Sequence, residues 1–409
     1  MKIYVKTVLV CLLLGLSTAA FGAEKAFKPS ISVSEEFNDN IGDSTINKRS
    51  EYLTQVQPGA IFSYKAPLWN WDINSFLVYR HYARNSAGDE FNYDLTLNGT
   101  ISVIDNFFFL DVNDAYHRIS SNISLDTTQD SPLGSNLTDQ NIATVSPYLL
   151  WHWGDKSTLK TGYRYIDTRY WGQGLEKRQH DAFAGLNHEM TAKLSVSADY
   201  IFSSTEVQPS SFTTNSISAG FRYSHAENSF FSAKGGYSVQ RYANGTTASN
   251  PFWDVGVTQD CGFAVATLGN SVQFSEDPLT SSTKTTTYSV KLDRLLQRGA
   301  IGFSSSYSET ETTQSSVQSQ QKLAFGVTGK YELMSNLTGN LALTSEHFNV
   351  VTPPTVYPYH LIASGGLRYV LKDDLTLSVT YTYVTYRNAL DASSAKETNR
   401  AVVEIKKVF

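Results

Sequence analysis

Eight histidines, at positions 81, 117, 152, 180, 188, 225, 347 and 360, are the first side chains in this 409-residue chain that suggest acid–base or metal chemistry. No two of them stand at the i, i+4 spacing that places a pair of ligands on one helix face. In "NHEM", His188 is followed directly by Glu189, and an extended strand sends adjacent side chains to opposite faces, so the two do not share a metal. Serine is too common for one beside a histidine to mark a nucleophile, and a catalytic triad needs three converging groups that no local motif supplies. The expectation is therefore no catalysis, no metal and no cofactor.

A second set of residues suggests selection instead of reaction. Lys160, Arg164, Arg222, Lys234, Lys330 and Arg368, together with Asp94, Asp199 and Glu332, each stand in a stretch where every second residue is apolar. Charges in that pattern belong on the face away from the apolar surroundings. If that face lines a pore, the excess of cations would favour an anionic polymer; the plainer reading is that they are merely solvated. Phe76, Tyr82 and Phe183 fall on the same face, where rings either stack on passing sugars or fill space between strands. Tyr200 falls on the opposite, lipid side.

The elements that must position these residues are strands. In "YDLTLNGTISV", Tyr93, Leu95, Leu97, Ile101 and Val103 alternate with Asp94, Thr96, Asn98, Thr100 and Ser102, and "LTLSVTYTY" repeats the pattern at 375–383. Short polar turns near 105, 154, 226, 335 and 373 separate longer polar loops, of which 120–141 is the longest. Aromatics make up 13% of the chain, the alternating polar faces are Ser, Thr, Asn and Gly, and Tyr and Trp gather at strand ends, as in "PLWNWD" and "LLWHWGD". A soluble sandwich would manage with shorter strands and a Lys/Glu surface; rings at strand ends suit a membrane interface. In lipid an open sheet edge leaves backbone groups without partners, so the sheet must close. The expected fold is all-β: a single antiparallel up-and-down transmembrane β-barrel over 23–409, with about 18–20 strands of roughly ten residues. A formal net charge of −5 argues against a nucleic-acid or anionic-lipid binder.

Residues 1–22 carry Lys2 and Lys6, then "VLVCLLLGLSTAAF", then small residues, the pattern of a secretory signal peptide and too short a run to span a bilayer. Cys11 lies within it, which leaves Cys261 without an internal disulfide partner. With the first strand expected near Ile31, about eight residues precede it, and the expectation is a barrel with no plug domain, gated by a loop or by a partner.

The chain ends in "TNRAVVEIKKVF", where Phe409, Ile405, Val403 and Ala401 stand at alternate positions. This resembles the assembly signal of bacterial outer-membrane proteins, which implies the outer-membrane assembly machinery as a partner; Lys407 departs from the pattern, although a lysine near the rim can snorkel. "SVSEEFNDN" at 32–40 followed by "QPGAIFSY" at 57–64 resembles the opening of the beta-barrel porin 2 family, which includes outer-membrane barrels associated with PEP-CTERM and exosortase systems. That resemblance implies a bacterial outer-membrane channel, the conduit for an exopolysaccharide, working with a periplasmic polysaccharide-export protein. The alternatives are a general or solute-selective diffusion porin and a sleeve around an electron-transfer cytochrome. The chain has no Cys-x-x-Cys-His of its own for a haem.

Overall fold

A computed structural model describes residues 23–120, 137–208, 211–275, 283–312, 318–350, 358–372, 374–387 and 395–409. The signal peptide expected over 1–22 lies outside the described residues. Twenty strands follow in chain order: β1 (Glu24–Asn38), β2 (Glu51–Lys65), β3 (Trp69–Tyr82), β4 (Glu90–Ile104), β5 (Phe108–Ser120), β6 (Leu137–Trp153), β7 (Ser157–Trp171), β8 (Lys177–Thr191), β9 (Leu194–Val207) and β10 (Phe212–Ala226) form the first half. The second half comprises β11 (Ser229–Tyr242), β12 (Thr247–Asp260), β13 (Val265–Ser275), β14 (Thr283–Leu296), β15 (Gly299–Thr312), β16 (Gln318–Met334), β17 (Leu337–Val350), β18 (Tyr359–Lys372), β19 (Leu375–Arg387) and β20 (Lys396–Val408).

Each strand pairs antiparallel with its neighbours in sequence, and β1 pairs with β20, so the sheet is one closed ring. The backbone amide of Phe409 donates to the carbonyl of Pro29 at 2.8 Å, which carries the closure to the last residue. Strands run from 11 to 17 residues, longer than the ten expected, because tilted strands continue past the membrane. Two boundaries differ from the sequence reading. Strand β1 begins at Glu24, not near Ile31, since its first residues pair with the end of β2 although their own pattern is not apolar. Residues 137–141, read as loop, open β6, where their backbone pairs with both β5 and β7; the rest of that loop, 121–136, lies outside the described residues.

Short turns join even to odd strands and longer connections join odd to even, so the termini share one rim with the short turns. Asn106 and Asn228 take the left-handed backbone conformation those tight turns need (φ 54° and 55°). Large exposed apolar residues, among them Ile31, Val33, Leu341, Leu343, Leu367, Tyr369, Val403 and Ile405, stand at alternate positions on one face of the sheet, which is the lipid-facing side. Among the described residues no helix is long and apolar enough to cross a membrane; the strands do the crossing.

The largest fully buried side chains, including Asn38, Glu51, Tyr82, Asp181, Thr205, Phe348, Val384 and Thr398, all lie toward the long-loop rim. Part of this packing comes from the β1–β2 loop, which folds over the junction of first and last strands. Asp39 accepts from the backbone and side-chain amides of Asn399, each at 2.7 Å, the Thr398 hydroxyl donates to Asp43 at 3.0 Å, and Asn40 donates to the carbonyl of Glu397 at 2.9 Å.

Candidate lumenal binding wall

Strand alternation and register assemble the candidate site from four neighbouring strands. Phe109 of β5 is opposite Tyr148 of β6, Tyr148 is opposite Gly162 of β7, and Gly162 is opposite Phe183 of β8. All four lie on the inner face, because Tyr163, next to Gly162, is among the exposed residues of the lipid-facing side. The rings of Phe109 and Tyr148 stack at 5.3 Å and 13°. A Cβ on Gly162 would come within 2.7 Å of both the Phe183 ring and the Tyr148 Cβ, so only glycine lets the two flanking side chains close over β7.

Two cations are seated in this row. Lys160 Nζ lies 3.6 Å from the Tyr148 ring centroid and 5.9 Å from that of Phe183, and the Arg164 guanidinium lies 5.7 Å from Phe183. Such contacts replace part of the hydration of a cation with ring quadrupole. Arg164 also donates from Nε and Nη2 to Asp181 Oδ2, at 2.9 and 2.7 Å, and Asp181 is fully buried, with Gln179 donating to its second oxygen at 2.8 Å. Lys234 of β11 reaches across β10 to Asp199 of β9 at 2.8 Å. Between these groups lies a hollow of about 420 Å³ lined by Asp111, Asn113, Lys160, Phe183, Asn187 and Asp199.

The structure thus gathers Lys160, Arg164, Phe183, Asp199 and Lys234 on one wall. Arg222 faces the same interior further round, stacked over Phe230 at 3.5 Å. Asp94 lies on β4, 2.7 Å from His117. Lys330 and Arg368 stand exposed on β16 and β18, away from the hollow. Phe76 covers Gly59 and has Lys406 5.9 Å from its ring. Tyr82, 1% exposed at the long-loop rim, has no free ring face. Val403, Ile405 and Phe409 are exposed on the lipid side, and Lys407, the residue that broke the terminal pattern, pairs with Asp374 in the β18–β19 turn and lies over the Phe409 ring at 5.8 Å. Rim position and a carboxylate partner account for a lysine there.

Sequence alone does not single out Phe109 and Tyr148. "DNFFFLDVND" and "SPYLLWHWGD" interrupt the alternation with runs of adjacent apolar residues, so neither face could be assigned; the Asp111 and Asn113 that follow Phe109 at intervals of two were the usable signal. Among the described residues no three His, Cys, Asp or Glu side chains are grouped to hold a metal.

No protein-family model matches the chain, and no curated protein matches it. Solved structures do. The ferric-catecholate import receptor Fiu from E. coli K12 superposes with a TM-score of 0.52 at 8% identity, covering 93% of this chain and 81% of that one. The FrpB iron transporter from Neisseria meningitidis gives 0.56 at 8% identity, with 98% and 83% covered. The ferric enterobactin receptor PfeA from Pseudomonas aeruginosa gives 0.56 at 8% identity, with 94% and 80% covered. These likenesses show the fold: a large β-barrel like those of bacterial outer-membrane transport receptors.

They also correct the expected barrel class. The structures on which the chain superposes are receptors that have a plug domain, so the description as a barrel with no plug does not stand. The number of residues ahead of the first strand does not measure what fills the lumen of the assembled protein. The architecture supported is a closed antiparallel barrel of 20 strands, with no helical plug among the described residues.

Proposed function

We propose that this outer-membrane transport barrel is a conduit for a carbohydrate polymer leaving the cell. The observation that carries the reading is the chemistry of the inner face. Hydroxyl, amide and glycine positions such as Ser289, Ser304, Ser306, Gly326, Thr328 and Asn340 line one side, and rings with carboxylate and amide groups line the other. Sugars present hydroxyls all round and apolar C–H faces above and below, and such a surface satisfies both. The buried long-loop end fits a conduit that opens only when polymer or a periplasmic export partner engages it. Residues 1–22 would direct export to the periplasm, and Phe409 with Ile405 and Val403 would be read by the assembly machinery.

A ferric-siderophore cargo, suggested by the names of the similar structures, is less well matched. An iron–catecholate complex is anionic, whereas Arg164 and Lys234 are each already paired with a carboxylate. The test is a deletion strain scored for cell-surface polysaccharide, together with the purified barrel in a planar bilayer. Loss of surface polymer and low, erratic conductance are expected. Normal surface polymer with steady open-pore conductance would instead make the protein a diffusion porin.

A further inference from the structure

We infer that the hollow on the β5–β9 wall is a binding site for a single neutral hexose unit of a carbohydrate chain, with Phe183 as the stacking platform. This rests on the conduit reading and adds a place and a ligand class to it. The volume, about 420 Å³, lies in the range of small-molecule sites. Phe183 is half-buried, locked over Gly162, and flanked by Lys160 and Arg164, so its orientation is set before any ligand arrives. Asn113 and Asn187 supply amide donors and acceptors, Asp111 and Asp199 supply acceptors, and Lys160 supplies a donor, the complement a ring of hydroxyls requires.

Charge decides between a neutral and an acidic sugar. Lys160, Arg164 and Lys234 are matched by Asp111, Asp181 and Asp199, and two of these three cations are held in ion pairs. A carboxylate on the ligand would meet Asp111 and Asp199 across the same hollow and gain nothing from cations already engaged. Among the described residues of the opposite inner wall, Phe348, the ring beside Lys322, is buried and presents no open face, and at mid-barrel Ser304 is opposite Gly326 and Gly302 opposite Thr328.

The experiment uses the full-length barrel refolded in detergent and titrated calorimetrically with maltohexaose and, separately, hexagalacturonate. Maltohexaose should bind more tightly than hexagalacturonate by about tenfold or more. Phe183→Ala should weaken maltohexaose by roughly 3–10-fold and Asn187→Ala by roughly fivefold. Lys156→Ala, exposed in the β6–β7 turn at the short-turn rim, should leave it unchanged, and the heat-modifiable electrophoretic band confirms that each variant is folded. Equal or tighter binding of the acidic oligomer, or Phe183→Ala within twofold of wild type, would overturn the site. Conduit and site are separable: surface polymer that persists in the deletion strain removes export, while the calorimetric contrast reports on the hollow alone.

Discussion

The two inner walls of this barrel are built from different materials on the same scaffold. Along β5–β9, adjacent inward positions carry Phe109, Tyr148 and Phe183 with Lys160, Arg164 and Asp181 between and above them. Along β15–β19, the equivalent row reads Gly302, Thr328, Ala342, Ser364 and Thr382. Both satisfy the requirement that a lumen be polar, and the backbone ladder closes the ring in either case. What differs is order. The small hydroxyls at mid-height on the second wall need only water, and its ion pairs, Lys291–Asp293 and Lys322–Glu346, stand to either side of them, whereas on the first wall rings seated over a glycine and cations held by a buried carboxylate are fixed together in one arrangement. Side chains fixed in place are what a binding surface needs, which is why the first wall carries the functional argument.

By that contrast, substitutions should be costly on the first wall and cheap on the second. Asp181→Ala removes the fully buried partner of Arg164 and should lower stability by about 3 kcal/mol, read as a urea-midpoint shift of the barrel refolded in lipid vesicles. Ser306→Ala, its counterpart, should stay within about 0.5 kcal/mol; equal effects would erase the distinction. Gly162→Val should cost about 2 kcal/mol in the same assay, because its Cβ meets backbone and packed ring atoms. Gly326→Ala should cost less than about 0.5 kcal/mol, because its Cβ meets only the movable Ser304 hydroxyl. The seam joining the two walls gives a smaller effect. Asp39→Ala deletes both bonds to Asn399 and should cost about 1 kcal/mol, leaving strand pairing intact by circular dichroism.

The smallest expected effect lies outside both walls, in the β3–β4 loop. Hydrogen bonds from Tyr79 and His81 hold the exposed Asp89 carboxyl below its usual range. A depressed folded value means that its contribution is present above the unfolded carboxylate range and is lost as pH falls through the folded value. Asp89→Asn should flatten the acid limb of a stability–pH profile slightly while leaving the neutral plateau in place; an unchanged limb would show the contact to be inconsequential.

Much of the fold was legible because its signals are local. Alternation in "YDLTLNGTISV" placed Asp94, and the same rule placed Lys160, Arg164 and Lys234 on one face; turn lengths told the two rims apart. The hollow was harder to see. Phe109 and Tyr148 sit in apolar runs where period two gives no answer, and nothing near Lys234 in the chain shows that Asp199, 35 positions earlier, would neutralise it. The excess of cations noted from sequence therefore became, on this wall, a set of ion pairs.

By itself the sequence determined that the chain is an antiparallel barrel and which way each well-patterned side chain faces, since a strand sends successive residues to opposite sides whatever lies beside it. Tertiary structure alone fixed the count at 20 within the expected 18–20, the register in which β1 meets β20, and the neighbours of each inward residue. Those depend on register, which is settled between strands by hydrogen-bonded stagger and ring closure; no single strand carries that information in its own residues.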